Sequence, residues 1–335
     1  MKIGRNKKIL VLKGDGLTQF VEAEPAFAAI RAAHPEASID LLTSHELGRL
    51  AKGAPFFDRV LAAGPFPDKQ SRKNFYSQLR RIGYAKAYDL NGTPESLEIK
   101  KALTGFRGVP WVGPNRVVSK DKGHVFVPSF AGPAMRKLLS DAGLEVPQRL
   151  PDLGWALDGR KDAANMRPSW YGITGDFALL IPAMNDLWRW PAEYYAEVAS
   201  ALVERGVTPV LIGGSDMKAF GHEVSQLMVQ IGPRGGARAL VDLTDKTDLA
   251  QLAALAKEAK FFVSGITEEL QLAVSVGCPG VVIVHPEAEQ EVEGLYGRQI
   301  VRFTAEDMET LAPETVVSML SSMGLLTSDK KQQSA

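Results

Sequence analysis

The sequence holds a single cysteine, Cys278, among its 335 residues. One thiol closes no internal disulfide, so the chain must be held by packing, and it suits a reducing compartment. Long apolar runs are missing as well. The basic start MKIGRNKKILVLKGDG offers only Ile9–Leu12 before the next charge, far too short for a signal peptide or a membrane span, and the cytoplasm is the default location. The five histidines (His34, His45, His124, His222, His285) are scattered, without zinc-ligand spacing or cysteine partners, so no metal site is expected. No Gly-x-Ser-x-Gly elbow supports a hydrolase triad, and no Walker sequence occurs. Gly14-Asp15-Gly16 lacks the further glycine of a dinucleotide fingerprint. Internal repeats and low-complexity tracts are absent too.

What remains is an ordinary globular composition, 45% hydrophobic and 23% charged, long enough for two domains of about 150 residues. The formal net charge of zero hides an asymmetry. Of 39 Lys+Arg and 39 Asp+Glu, residues 1–161 take 26 and 16, leaving 13 and 23 for the rest. A basic first half either faces an anionic partner or is solvated surface.

Read in order, strands alternate with helices. Lys7–Lys13 is a buried strand, and Gly14-Asp15-Gly16 turns it into a helix over Leu17–Ala33 that Pro25 should kink. Strands follow at Ser38–Leu42, Phe57–Ala62, Ala87–Leu90 and Gly108–Val112. Helices fall at Ser44–Lys52, Phe75–Arg81, Leu97–Leu103 and Ala134–Ala142. From Gly143 to Asp176 the periodicity fades, which marks a linker. A second alternating run begins with strand Phe177–Ile181. It continues through helix Pro191–Arg205, strand Thr208–Ile212, and helices Met217–Ile231 and Asp248–Ala259. Phe261–Pro286 reads as strand, turn, helix, turn, strand, with Thr267 capping the helix. Helix Pro313–Met323 closes the second domain. Such alternation implies parallel sheets covered on both faces. The expected division is residues 1–160, residues 161–326, and a disordered tail over 327–335. Ligands of open α/β sheets sit where strands give way to helices, so the turn at Ser264–Thr267 is the first place to look.

These blocks, in this order, resemble glycosyltransferase family 9, the heptosyltransferase family of lipopolysaccharide core assembly. The likeness lies in KILVLKGDGLTQFVEAEPAFAAIRAAHPEASIDLLT, RWPAEYYAEVASALVERGVTPVLIGGSD, DLTDKTDLAQLAALAKEAKFFVSG and LAVSVGCPGVVIVHP. It implies the GT-B fold, two Rossmann-like doubly wound domains facing a central cleft. It also implies an inverting, metal-independent transfer from a nucleotide-sugar donor, held by the second domain, to an anionic glycolipid or glycan acceptor on the first. No cofactor is implied, and the protein would work in the cytoplasm or peripherally at the inner membrane face.

The motif residues depart from the family pattern. Members place an aspartate, the general base, six residues before the proline matching Pro25; here that position is Gln19, which takes no proton. Asp15, four residues earlier, is the favoured replacement, with Glu22 further along the helix, or else Asp15 is a plain turn residue. A lysine expected before the Trp-Pro helix start is Trp188, which either stacks on a base or sugar or packs. Arg189 beside it is a forked cation suited to phosphate. The Gly213-Gly214 turn is kept, and Asp216 either binds donor hydroxyls or caps a helix. In place of Asp-(Ser/Thr)-Gly-Pro-x-His stand Ile266, Thr267, Glu268, Glu269, Leu270 and Gln271. Two carboxylates in a first turn satisfy the helix dipole themselves and repel a diphosphate by about 1–4 kcal/mol each. Gln271 offers a hydrogen bond without charge. The basic run Lys69–Lys73 with Tyr76 and Arg80-Arg81 either meets anionic lipid headgroups or is a solvated loop, and nucleic acid is not the expected partner. Two readings follow: an active transferase with a shifted base, or a catalytically silent relative that binds or scaffolds.

Overall fold

A computed structural model describes residues 7–104, 108–114, 132–158, 163–231, 240–288 and 299–327. His124 and all but Thr327 of the expected tail lie outside these. The chain divides into two compact units, Met1–Asp158 and Gly159–Ala335.

In the first unit β1 (Lys8–Leu12), β2 (Ser38–Thr43), β3 (Arg59–Ala62), β4 (Lys86–Asp89) and β5 (Trp111–Val112) form a parallel sheet in the order β3-β2-β1-β4-β5. The central strand explains its own sequence: Ile9 to Leu12 are all fully buried, so the run is unbroken rather than alternating. The connecting helices are α1 (Leu17–Glu22), α2 (Glu24–Ala33), α3 (His45–Ala51), α4 (Lys69–Ile82), α5 (Pro94–Leu103) and α6 (Gly132–Asp141).

Two expectations fail here for identifiable reasons. The single kinked helix over Leu17–Ala33 is two helices, because Pro25 has no N–H to bond Val21. The chain breaks at Ala23, and Pro25 takes the first turn of α2, where a missing donor is harmless. The basic run Lys69–Lys73 is no loop but the start of α4, whose cap Asp68 accepts from the Ser71 backbone N at 2.6 Å. Leu79 is the only buried residue of α4, so it carries little apolar periodicity to betray it.

The segment after α6 folds back onto this unit. Glu24, only 2% exposed, is gripped through both carboxylate oxygens by Arg149 and accepts from Asp152 N at 3.2 Å. Trp155 lies edge-on to Phe56 at 6.1 Å. The described residues of the expected linker hold short 3-10 turns at Gly154–Leu157, Ala163–Met166 and Pro168–Tyr171.

The second unit is a six-stranded parallel sheet, β11-β10-β9-β6-β7-β8, built from β6 (Phe177–Ile181), β7 (Thr208–Leu211), β8 (Val241–Asp242), β9 (Phe261–Ser264), β10 (Gly280–Val284) and β11 (Ile300–Thr304). Its helices are α7 (Ala192–Glu204), α8 (Lys218–Ile231), α9 (Leu249–Glu258), α10 (Glu268–Ser275) and α11 (Pro313–Ser322). The two edge strands, β8 and β11, escape the sequence reading. One is two residues long, and the other is half-exposed without a clean alternation. Trp190, Tyr195 and Phe261 fill the core, with the Trp190 indole N–H donating to Leu311 O at 2.9 Å. Cys278 is buried between α10 and β10, and burial pushes its thiol up to about 12. Among the described residues, no helix is long and apolar enough to cross a membrane.

Candidate functional site

Each sheet has one point where strand order reverses, the usual place for a ligand crevice. In the first unit the chain runs outward from β1 through β2 to β3, then resumes at β4 on the other side of β1. The reversal falls between the ends of β1 and β4. There Gly14 N donates to Asn91 Oδ1 at 2.8 Å, tying the two exits together. A Cβ on Gly14 would lie 2.6 Å from Ser44 N, so only glycine fits between β1 and β2. Asn91 is placed in turn by Asp89, fully buried, whose carboxylate accepts from Asn91 N (3.0 Å), Gly92 N (3.1 Å) and Ser96 Oγ (2.7 Å).

A cavity of about 980 Å³ opens on this edge. Asp15, Ser44 and Asn91 line one part of it, and Phe66, Phe75 and Tyr76 another. Lys69 and Arg72 bring α4 to the rim, and Arg72 is paired with Glu98 at 3.1 Å. Thr43 also lines the cavity, and its buried hydroxyl oxygen has no partner among the described residues. The volume falls at the upper end of the range of small-ligand sites.

Of the two carboxylates near the Gln19 position, Asp15 stands on the cavity wall, whereas Glu22, like Gln19 itself on α1, is not among the lining residues. The Asp15 side chain is 14% exposed and contacts Lys13, whose Nζ lies 3.0 and 3.1 Å from its two oxygens. Lys13 is fully buried and also donates to Leu90 O at 2.8 Å. Burial raises the proton affinity of Asp15, and the Lys13 charge opposes that rise. Burial likewise pushes the Lys13 ammonium below its ordinary value, opposed chiefly by Asp15 and then by Glu22 and Asp89. Sequence reasoning missed Lys13, although a lysine closing a buried strand was the available signal.

In the second unit the chain runs from β6 through β7 to β8 and resumes at β9, so the reversal lies between β6 and β9. Gly265 N donates to Ile181 O at 2.8 Å, and a Cβ on Gly265 would sit 2.6 Å from that of Ala183. The exits of β6, β7, β9 and β10 bring Trp188, Asp216, Thr267 and His285 to one sheet edge. Thr267 caps α10 as expected, its Oγ1 accepting from Leu270 N at 3.1 Å. Glu268 is exposed, Glu269 and Gln271 are half-buried, and both Glu268 and Gln271 have partners. Arg189 is committed to its own loop. It donates to Ala183 O and Met184 O, pairs with Asp186 at 2.7 Å, and lies 4.9 Å from the Phe220 ring centroid. Trp188 stacks on His285, with ring planes 9° apart and centroids 5.7 Å apart. Asp216 sits exposed in a 3-10 turn over Ser215–Met217 in which no side chain caps, so it does not take the capping role. The described residues contain no group of three or more His, Cys, Asp or Glu able to hold a metal.

Comparison with known proteins places this architecture. The profile of glycosyltransferase family 9 (heptosyltransferase) matches residues 78–315. A family 9 glycosyl transferase from Veillonella parvula superposes with a TM-score of 0.72 at 15% identity, covering 95% of this chain and 97% of the other. The ADP-heptose lipopolysaccharide heptosyltransferase II of E. coli gives 0.72 at 18% identity, covering 98% and 100%. The E. coli heptosyltransferase WaaC, solved with ADP, gives 0.69 at 19% identity, covering 94% and 99%. At these identities the likeness establishes the fold, which is GT-B. A Haemophilus influenzae protein provisionally named a glycosyltransferase is 32% identical over 74 residues, a match spanning 22% of this chain and 21% of that protein's length.

Proposed function

The chain belongs to glycosyltransferase family 9, and we propose that it transfers a sugar from a nucleotide-sugar donor to a glycan of the cell envelope, lipopolysaccharide core or a related anionic glycolipid. The observation that carries this reading is Asp15 on the wall of the first unit's cavity, at the reversal of strand order. An acceptor hydroxyl in that cavity loses its proton to Asp15 as its oxygen bonds to the anomeric carbon. The bond from that carbon to the diphosphate oxygen breaks, and the electron pair leaves with the nucleoside diphosphate. Attack opposite the leaving group inverts the anomeric centre, and no metal takes part in this reading. On the donor side Trp188 offers a stacking plane, while Thr267, Asp216 and Gln271 stand at the same sheet edge for donor hydroxyls.

Relatives solved with ADP and with ADP-2-deoxy-2-fluoro heptose make ADP sugars the first donors to try. Melting of the full chain is measured against ADP-, UDP- and GDP-sugars and the free nucleotides. A bound donor at a hundred times its Kd stabilises by about 2.7 kcal/mol, and a flat response to every nucleotide sinks the donor reading. The exposed Lys69, Lys73, Arg80 and Arg81 of α4 support peripheral contact with anionic membrane, read as salt-sensitive binding to vesicles containing phosphatidylglycerol.

A second reading, a silent relative that binds without transferring, is favoured by the acidic first turn of α10 and by the commitment of Arg189 to its own loop. Nucleotide binding without release of nucleoside diphosphate on any acceptor would select it.

A further inference from the structure

Lys13 has no part in the chemistry above, yet it is fully buried against the carboxylate that does. A buried ammonium is costly, and well-packed apolar residues replace buried ion pairs at little or no loss of stability. Stability alone therefore gives no reason for a lysine at this end of β1. The turn around it is fixed by the Gly14–Asn91 bond and by the close approach of Ser44. Within that fixed turn, Lys13 reaches both oxygens of Asp15 while Leu90 O accepts another of its protons.

We propose that Lys13 is a positioning residue for sugar transfer, holding Asp15 ionised and oriented on the cavity wall and expelling the proton that Asp15 collects. The inference rests on Asp15 being the base. In the transfer step the acceptor O–H bond breaks and an O–H bond forms on Asp15. Lys13 stays an ammonium and thereby loses its nearest counter-charge. A buried ammonium beside a neutral acid is unfavourable, so the proton passes from Asp15 to water and the pair is restored. Among the described residues, Glu22 on α1 and Asp89 at the end of β4 also act on the pair. Both favour the ammonium, and Asp89 also disfavours charge on Asp15. Asp89 is itself held by two backbone N–H groups and the Ser96 hydroxyl.

The test uses the full chain labelled with [γ-13C]aspartate, the Asp15 resonance being assigned through Asp15→Asn. In Lys13→Met the Asp15 midpoint should rise by about one pH unit or more, because an opposing charge is removed. The acidic limb of the kcat profile should move up by the same amount with KM little changed, and Lys13→Arg should return both toward wild type. A Lys13→Met enzyme that loses melting temperature and turnover at every pH, with midpoint and limb unmoved, overturns the proposal. Should Lys13→Met not fold, the reciprocal measurement decides: the 15Nζ titration of Lys13 in Asp15→Asn should fall by about one pH unit, and an unchanged titration overturns the pair. A shifted midpoint in a protein that transfers nothing supports the coupling and counts against the transferase reading instead.

Discussion

Where strand order reverses between β1 and β4, the protein sets an ion pair against a cavity; where it reverses between β6 and β9, it sets a capped helix with an acidic first turn. The two positions are equivalent in architecture and opposite in chemistry. At the first, the polar groups are fixed from behind and one carboxylate is left toward the open space. At the second, the cation of the loop is folded into its own backbone, and the N-terminus of α10 already faces carboxylates. Sheet topology therefore marks where a ligand belongs, and the side chains decide which ligand is welcome. Under the proposed transfer the first unit takes the acceptor, and the second takes a donor that tolerates negative charge at α10.

The largest effect expected from breaking this contrast is at Asp15. Asp15→Asn keeps the shape of the turn and removes the proposed base, so turnover should fall about 10²–10⁴-fold with KM little changed, measured as release of nucleoside diphosphate. Unchanged turnover would move the base elsewhere. Next comes the tie between α2 and the segment after α6. Arg149→Ala leaves Glu24 buried without its cation, holding only the Asp152 N–H, and should cost roughly 2–4 kcal/mol in urea unfolding, below the full value for a buried pair because Arg149 is 39% exposed.

Acid should weaken the first unit through His34. Its ring is buried, Nε2 lies 2.7 Å from the Tyr88 hydroxyl, and burial lowers its pKa to about 4. The folded pKa lies below the ordinary 6.5, so the native state holds fewer protons between the two values. Stability is complete above about 6.5 and is lost as pH falls through about 4, by no more than about 3 kcal/mol. Melting temperature against pH should lose this window in His34→Gln. The smallest effect sharpens the other half of the contrast. Replacing Glu268 and Glu269 by glutamine should tighten binding of nucleoside diphosphate about threefold to tenfold at low salt, read by calorimetry, with the gain shrinking as salt rises. Equal affinity would mean that the carboxylates lie away from the bound phosphates.

Much of this was legible in the residues. Ile9–Leu12 and Phe177–Ile181 read as central strands because both of their faces are buried, and Thr267 announced its cap through its place before Glu268. The start of α4 was hidden because a helix with one buried residue has no apolar stripe, and β11 because an edge strand is half-exposed. At the candidate site Asp15 was visible as a carboxylate in the turn four residues before Gln19. Thr43 and Asn91 were not, since their meeting with Asp15 depends on β1, β2 and β4 lying side by side. The stacking of Trp188 on His285 joins residues almost a hundred positions apart, from the exits of β6 and β10. Periodicity reports which face of an element is buried, and it is silent about which elements become neighbours.

The lone thiol has a practical consequence. Cys278 is buried and its proton is held to about pH 12, so alkylating reagents at neutral pH should leave the natural chain unmarked. A cysteine introduced at Ser44 or Thr93, both on the cavity lining, would then carry a fluorophore or spin label against a dark background. The molecule thus allows the filling of its first crevice to be watched directly, one chosen position at a time.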